Sequence, residues 1–287
     1  MFNNKTKVCN SVKSVLLALC CVAAVAEAAV PEGLQQWLDS PQRSAENKAR
    51  DQYRNPGETL GFFGLKPEMK VLEIWPARGW YTEILAPYLK QSGELTIANF
   101  RQNDGTLEDD RKIFWAKLAA RLDADIRKNP QHFGPVKSIQ FDPPAMMQLG
   151  QVNYYDMVLS FRNSHVWNEA GYLLDVYRAL FDALKPGGTL GLVEHRSNRL
   201  SEISSRAGDG YLDEYYVISV AQQAGFVLVE RSEINANPRD TKDYPKGVYA
   251  LPPTLAMGEK DRARYLAIGE SDRMTLRFMK PLPVAAP

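Results

Sequence analysis

Short apolar segments alternate with amphipathic segments along this chain, and that alternation is the strongest constraint on its fold. Seven apolar segments have the length and composition of β-strands; they span residues 70–74, 95–100, 136–141, 157–161, 189–193, 226–230 and 274–279. Helical periodicity separates most of them, at residues 80–89, 107–129, 170–184 and 212–224. Because strands joined through helices favour parallel pairing, we predict an α/β fold with a doubly wound, mostly parallel seven-stranded sheet.

Composition narrows the class of function. The chain has 287 residues, of which 45% are hydrophobic, and its 35 basic and 34 acidic side chains leave a net charge of +1. This apolar content excludes intrinsic disorder, and a near-neutral chain has no overall field with which to hold nucleic acid. The metalloprotease His-Glu-x-x-His, esterase Gly-x-Ser-x-Gly and phosphate-loop motifs do not occur in the sequence. We therefore expect no nucleic-acid partner and predict no metal site.

The N-terminus has the three-part layout of a secretory signal peptide. Basic residues precede an apolar run at residues 15–25, and Ala26-Glu27-Ala28 offers a cleavage site. These eleven apolar residues cover about half of a ~30 Å hydrocarbon core, which favours cleavage over the alternative, a membrane anchor. All three cysteines lie at positions 9, 20 and 21, inside this segment. We expect an exported protein, periplasmic or secreted, with no stable membrane span after cleavage.

The rest of the chain divides into two parts. Residues 29–56 read as a helical N-terminal extension that stops at Asn55-Pro56-Gly57. Residues 57–287 contain all seven predicted strands, so we expect one domain there and the signal peptide at residues 1–28.

The most informative stretch is residues 71–82. An apolar strand carries Glu73 near its end, and a tight turn from Trp75 to Gly79 leads into a helix. At such a junction, backbone N–H groups and the helix N-terminus can meet a polar ligand at the carboxyl end of the strand. The stretch resembles the first motif of class I S-adenosylmethionine (SAM)-dependent methyltransferases, an acidic residue followed by three alternating glycines. Its details resemble a group of exported predicted methyltransferases within that superfamily.

Further segments support this resemblance in the expected order. Residues 155–160 resemble the fourth-strand motif of the superfamily, and residues 184–190 resemble its turn into the fifth strand. Residues 161–165, 194–196 and 270–274 resemble the exported group. The resemblance extends from about residue 55 to residue 281, and it implies a Rossmann-like methyltransferase fold, SAM as cofactor and methyl transfer as activity.

The resemblance also assigns a cofactor site. Glu73, Gly79, Asn99 and Asp142 would hold the cofactor, and Trp75 and Tyr81 would form its wall. Trp75 and Ala77 stand at the first two glycine positions of the motif. A Trp there either leaves the pocket, becomes part of its wall or blocks it, and the sequence leaves these alternatives open.

Polar residues follow the fourth and fifth predicted strands, where open α/β sheets bind ligands. His165 and His195 are each a candidate general base, or else a hydrogen-bond partner of a loop backbone. Arg162 could clamp an anionic group and Asn163 could orient a polar one, and we include both among the candidate cofactor-binding residues. The alternative for Arg162 is an ion pair with Glu194 or Asp156 that ties the strand ends together. The third histidine, His132, is expected at the surface.

The sequence therefore favours an exported enzyme that transfers a methyl group from SAM to a small or envelope-associated acceptor. The alternative is an exported, non-catalytic binding protein on the same fold with a remodelled cofactor pocket.

Overall fold

The computed structural model describes Met1, residues 29–198 and residues 207–283. Apart from Met1, the predicted signal peptide lies outside these residues. Among the helices of the described part, none combines the length and the apolar character needed to cross a membrane.

A single seven-stranded sheet organises the chain, as predicted. The strands are β1 (Lys70–Ile74), β2 (Glu94–Asn99), β3 (Val136–Gln140), β4 (Tyr155–Phe161), β5 (Leu184–His195), β6 (Val227–Ser232) and β7 (Arg273–Met279). They lie in the order β3-β2-β1-β4-β5-β7-β6. The first five pair in parallel, and β7 runs antiparallel to both β5 and β6. The strand order reverses between β1 and β4, so the carboxyl ends of these two strands border a crevice.

Helices cover both faces of the sheet, and alternate strand residues bury into each side. On β4, Val158 joins one hydrophobic cluster, while Met157 and Leu159 join the other. The larger helices are α5 (Thr82–Leu89), α6 (Asp110–Lys128), α9 (Leu173–Ala183) and α10 (Glu214–Gln223). The shorter ones are α7 (Pro130–Phe133), α8 (Ser164–Glu169) and α11 (Arg262–Ile268). The predicted helix at 170–184 begins only at Leu173, because Gly171 is left-handed at φ 81° and separates α8 from α9.

The N-terminal extension folds as short helices rather than as one. They are α1 (Gln35–Leu38), α2 (Ala45–Lys48), α3 (Asp51–Arg54) and α4 (Pro56–Phe63). Helix α3 ends at Arg54, and Asn55 follows it in the left-handed region at φ 40°, where the sequence predicted the stop. Pro56 does not end the helical structure of the chain. It begins α4, since a proline lacks only an N–H that the first turn leaves unpaired. Leu34 and Leu38 pack in the same buried cluster as Val71 of β1, so the extension shares a hydrophobic core with the sheet.

His132 is the clearest error of the sequence prediction. It is 4% exposed, with its ring edge-on against Phe133 at 4.7 Å. Burial lowers the pKa of this histidine. Its side chain belongs to the packing of α7 against α5, although the surrounding sequence is polar.

Candidate active site

A cavity of about 420 Å³ opens at the carboxyl ends of the central strands. The β1–α5 turn, the end of β4, α8, the end of β5 and the segment preceding β7 all contribute to its lining. Eight of the eleven sequence-predicted site residues line it: Glu73, Trp75, Ala77, Tyr81, Arg162, Asn163, His165 and His195. The parallel topology brings these residues together although they are distant in the chain.

The β1–α5 turn keeps the backbone of a glycine-rich turn although two of its glycines are replaced. Trp75, Ala77 and Gly79 are all left-handed, with φ of 45°, 54° and 76°. Non-glycine residues in this region cost on the order of 1 kcal/mol each, so the surrounding structure holds the turn in place. A Cβ on Gly79 would lie 2.5 Å from Leu122 Cδ1, so this close contact and the positive φ both favour glycine there. Gly79 supports the turn from behind and does not line the cavity.

Trp75 lies in the cavity wall. Its side chain is 7% exposed, and its indole Nε1 donates a hydrogen bond to the Phe141 carbonyl at 2.9 Å. The ring packs against Phe100, Trp115 and Trp167 with centroid distances of 4.9, 5.5 and 5.3 Å. Of the alternatives left open by the sequence, the structure shows an indole built into an aromatic wall beside a cavity that remains open.

Glu73 places a buried carboxyl group beside this wall. It is 2% exposed, and one of its oxygens accepts a hydrogen bond from Thr82 Oγ1 at 2.6 Å. Burial raises the pKa of Glu73 to about 7, although the Thr82 hydrogen bond opposes that shift. Tyr81 stacks on Phe161 with a centroid distance of 3.6 Å, and burial raises the pKa of its hydroxyl to about 12. The tyrosine is therefore a neutral wall residue near pH 7.

Two histidines share one fully buried carboxylate. Glu194 is 0% exposed and accepts from the backbone N–H groups of His165 and His195, at 3.2 and 2.8 Å. Its Oε1 also lies 3.0 Å from His165 Nδ1. His195 Nδ1 lies 2.6 Å from Ser271 Oγ. Burial, together with the charges of neighbouring groups, lowers the pKa of His195 well below 6.5.

The side chains of His165, Glu194 and His195 could also coordinate a metal cation. Single ligand atoms of His165, Glu194 and His195 all lie within 4.8 Å of one another. The positive charges of Arg162 and Arg54 act on His195, and these charges would repel a metal cation bound beside it. The prediction that no metal binds here remains a prediction.

The polar residues after β4 have different roles in the structure. Asn163 Nδ2 donates to the Ile74 carbonyl at 2.9 Å and ties the end of β4 to the end of β1. Arg162 is left-handed at φ 63° and lines the cavity. Its guanidinium makes no hydrogen bond or ion pair with the other described residues. The carboxylates at positions 156 and 194, suggested as its partners, bond instead to Lys185 and to the histidine site.

Asn99 and Asp142 are not brought to this cavity. Asn99 Nδ2 points to α6, where it lies 3.3 Å from Asp123 Oδ1, and the next residue, Phe100, lines the cavity instead. Successive strand residues face opposite sides, so a shift of one position moves the side chain away. Asp142 is paired with Lys112 Nζ at 2.9 Å. Their assignment as cofactor ligands rests on the resemblance alone.

Sequence reasoning missed Arg54 and Glu270, which also line the cavity. Arg54 Nε donates to Glu270 Oε2 at 3.0 Å across 216 positions of the chain. Arg54 also lies over the ring of Trp80, 4.6 Å from its centroid. Two signals were available: the spacing of Arg50 and Arg54, which puts both on one helical face, and the resemblance of residues 270–274 to the exported group.

Comparison with known proteins gives the fold a precedent. No protein-family model and no curated protein matches the sequence. Among solved structures, a SAM-dependent methyltransferase from Aquifex aeolicus is similar with a TM-score of 0.54 and 14% identity, covering 86% of this chain and 96% of that one. The [4+2]-cyclase SpnF is similar with a TM-score of 0.56 and 16% identity, covering 84% and 85%. At these identities the likeness concerns the fold, and the chain has the Rossmann-like methyltransferase fold.

Proposed function

We propose that this protein is a SAM-dependent methyltransferase that acts after export on a small or envelope-associated acceptor. The observation that carries the proposal is the β1–α5 turn. Its three left-handed residues and the buried Glu73 stand at a cavity that His165 and His195 also line. The methyltransferase from Aquifex aeolicus, which has the same fold, lends the proposal precedent.

The cavity lining fits SAM. A volume of about 420 Å³ lies within the roughly 300–1,000 Å³ of small-molecule sites. Trp75, Phe100 and Trp115 line it with aromatic rings that can stack on a base or attract a sulfonium cation. Glu73, when ionised, adds a negative charge. Bound SAM supplies an activated methyl group, whose C–S bond breaks as the bond to the acceptor forms, leaving S-adenosylhomocysteine.

The protein's own residues would position the acceptor and take its proton. We assign the Nδ1 proton of His165 to the hydrogen bond with Glu194, which leaves Nε2 as the basic nitrogen. That nitrogen can accept the proton of an acceptor that must ionise for transfer. Asn163 keeps the end of β4 in register with the β1–α5 turn, so the base and the cofactor site hold a fixed geometry.

Methyl transfer is tested by incubating the protein with methyl-labelled SAM, a panel of small acceptors and an envelope extract. We expect label to move to an acceptor, and we expect His165→Gln to reduce the rate about a hundredfold or more. The matched control is His132→Gln, a buried histidine outside the cavity, which should retain the rate. SAM binding without any transfer would instead support the non-catalytic binding protein.

Export is tested separately. Mass spectrometry of the protein recovered from cells should give a chain that begins at Ala29, since the predicted cleavage follows Ala28. An intact N-terminus on the mature, active protein would contradict this part of the proposal.

A further inference from the structure

Four arginines converge on one carboxylate at the edge of the cavity. Arg50 Nε, Arg54 Nε and Arg273 Nη1 donate to Glu270 at 2.7, 3.0 and 3.3 Å. The charge of Arg162 acts on the same carboxylate. Burial alone would raise the pKa of Glu270, but these arginines lower it to about 2, so the carboxylate is ionised. One negative charge thus faces four positive ones, and the cluster has an excess of positive charge.

Several of these guanidinium groups have unused donors. Arg54 is 2% exposed and lines the cavity, yet its Nη2 has no hydrogen-bond partner among the described residues. Buried polar groups in folded proteins are normally paired, and buried charges normally have a counter-charge. Burial and the nearby charge of Arg162 lower the pKa of Arg54 to about 9, although the charge of Glu270 opposes that shift. The guanidinium of Arg162 likewise makes no hydrogen bond or ion pair with the other described residues, although its backbone N–H donates to the Val193 carbonyl.

The position of Arg162 brings the positive charge of this cluster near His165 and His195, on the side of the cavity proposed to hold the acceptor. It directly follows β4 and lies three positions before His165. The charges of Arg162, Arg273 and Arg54 all act on His195. The charges of the same three arginines also act on Tyr81 at the start of α5, so an anion held by Arg162 would lie between the histidine pair and the end of the β1–α5 turn.

We propose that Arg162, with the free nitrogen of Arg54, binds an anionic group of the methyl acceptor, a carboxylate or a phosphate. The inference rests on the proposed function and narrows its substrate class to acidic small molecules. The planar guanidinium fork matches either anion with two parallel hydrogen bonds. The anion would pair the excess charge and fix the acceptor so that its nucleophile faces His165 Nε2.

The test titrates acetate and inorganic phosphate separately into the protein and follows tryptophan fluorescence, since Trp80 lies 4.6 Å from Arg54. We expect saturable binding that Arg162→Gln weakens about tenfold to a hundredfold, with partial recovery in Arg162→Lys. The matched control is Arg277→Gln, because Arg277 is similarly half-buried but pairs with Glu230 and lies outside the cavity lining. Absence of binding, or equal affinity in the Arg162 and Arg277 variants, would overturn the proposal.

A second arm separates the acceptor's anion from the carboxylate of the cofactor. S-adenosylhomocysteine, which has an amino-acid carboxylate, is compared with 5′-methylthioadenosine, which lacks it. We expect Arg162→Gln to leave both affinities within about threefold, and phosphate to bind in the presence of saturating S-adenosylhomocysteine. If the variant weakens only S-adenosylhomocysteine, and this ligand displaces phosphate, the anion is the cofactor's own and the proposal fails.

The same titrations distinguish the failure of the anion site from the failure of the proposed function. Arginine-dependent anion binding without any nucleoside binding would remove the methyltransferase proposal and keep the anion site. Nucleoside binding without anion binding would remove the anion site and keep the methyltransferase proposal.

Discussion

Replacing Glu73 by glutamine should change how the stability of the protein depends on pH. Burial raises the pKa of this carboxyl from 4.5 to about 7. Below about pH 4.5, both the folded and the unfolded chain hold the proton. Between about pH 4.5 and 7 the unfolded chain releases it while the folded chain retains it, so the free energy of unfolding falls as the pH rises. Glu73→Gln has no such proton and lacks this contribution.

The magnitude follows from the shift. Each pKa unit corresponds to about 1.4 kcal/mol, so a displacement from 4.5 to about 7 corresponds to roughly 3 kcal/mol. The stability of the wild type relative to Glu73→Gln should therefore decline by about 3 kcal/mol between pH 4.5 and pH 7.5. Glutamine preserves the shape of the side chain, and its oxygen can still accept the Thr82 hydrogen bond.

Urea denaturation of both proteins at intervals from pH 4.5 to 8 measures this difference. Glu46→Gln, which removes an exposed carboxylate, is the control and should show a constant offset from the wild type. Parallel stability curves for the wild type and Glu73→Gln would refute the reasoning, because they would mean that the folded environment of Glu73 does not favour its protonated form.

Three further predictions follow from the site. Near pH 6.5, SAM binding should release part of a proton, because the bound cation favours the ionised form of Glu73. Calorimetry in buffers of different ionisation enthalpy should show this release in the wild type and none in Glu73→Gln. Gly79→Ala should destabilise the fold by about 1–3 kcal/mol more than the control Gly64→Ala in thermal unfolding. Both positions have φ near 77°, but only the Cβ added at Gly79 has a neighbour within 4 Å. Equal effects of the two substitutions would mean that Leu122 moves freely. Glu194→Gln should lower kcat about tenfold or more with little change in KM, because the substitution loosens the orientation of both histidines. A change in KM alone would assign Glu194 to substrate binding.

The sheet and most of the cavity follow from local patterns in the sequence. Strand periodicity placed the ends of β1 and β4, and parallel pairing then brought Glu73, His165 and His195 to one edge. The fifth strand was predicted to end at residue 193, whereas β5 continues to His195. The turn was predicted correctly although Trp75 and Ala77 stand where the motif has glycines, because the surrounding strand and helix impose its left-handed backbone.

Other parts of the site depend on tertiary contacts that no local pattern encodes. Asn99 and Phe100 differ by one position, and strand pairing decides which of them faces the cavity. The contact of Arg54 with Glu270 joins the N-terminal helices to the segment that precedes β7. His132 is buried by the packing of α7 on α5, which its polar neighbours in sequence conceal.

The most direct test of the account is a calorimetric titration of the protein with SAM and with S-adenosylhomocysteine. We predict binding of both ligands at one site per chain, and a loss of binding when Glu73→Ala removes the carboxyl group beside the turn. No heat at millimolar ligand, or binding that is indifferent to Glu73, would contradict the assignment of this cavity as a SAM site.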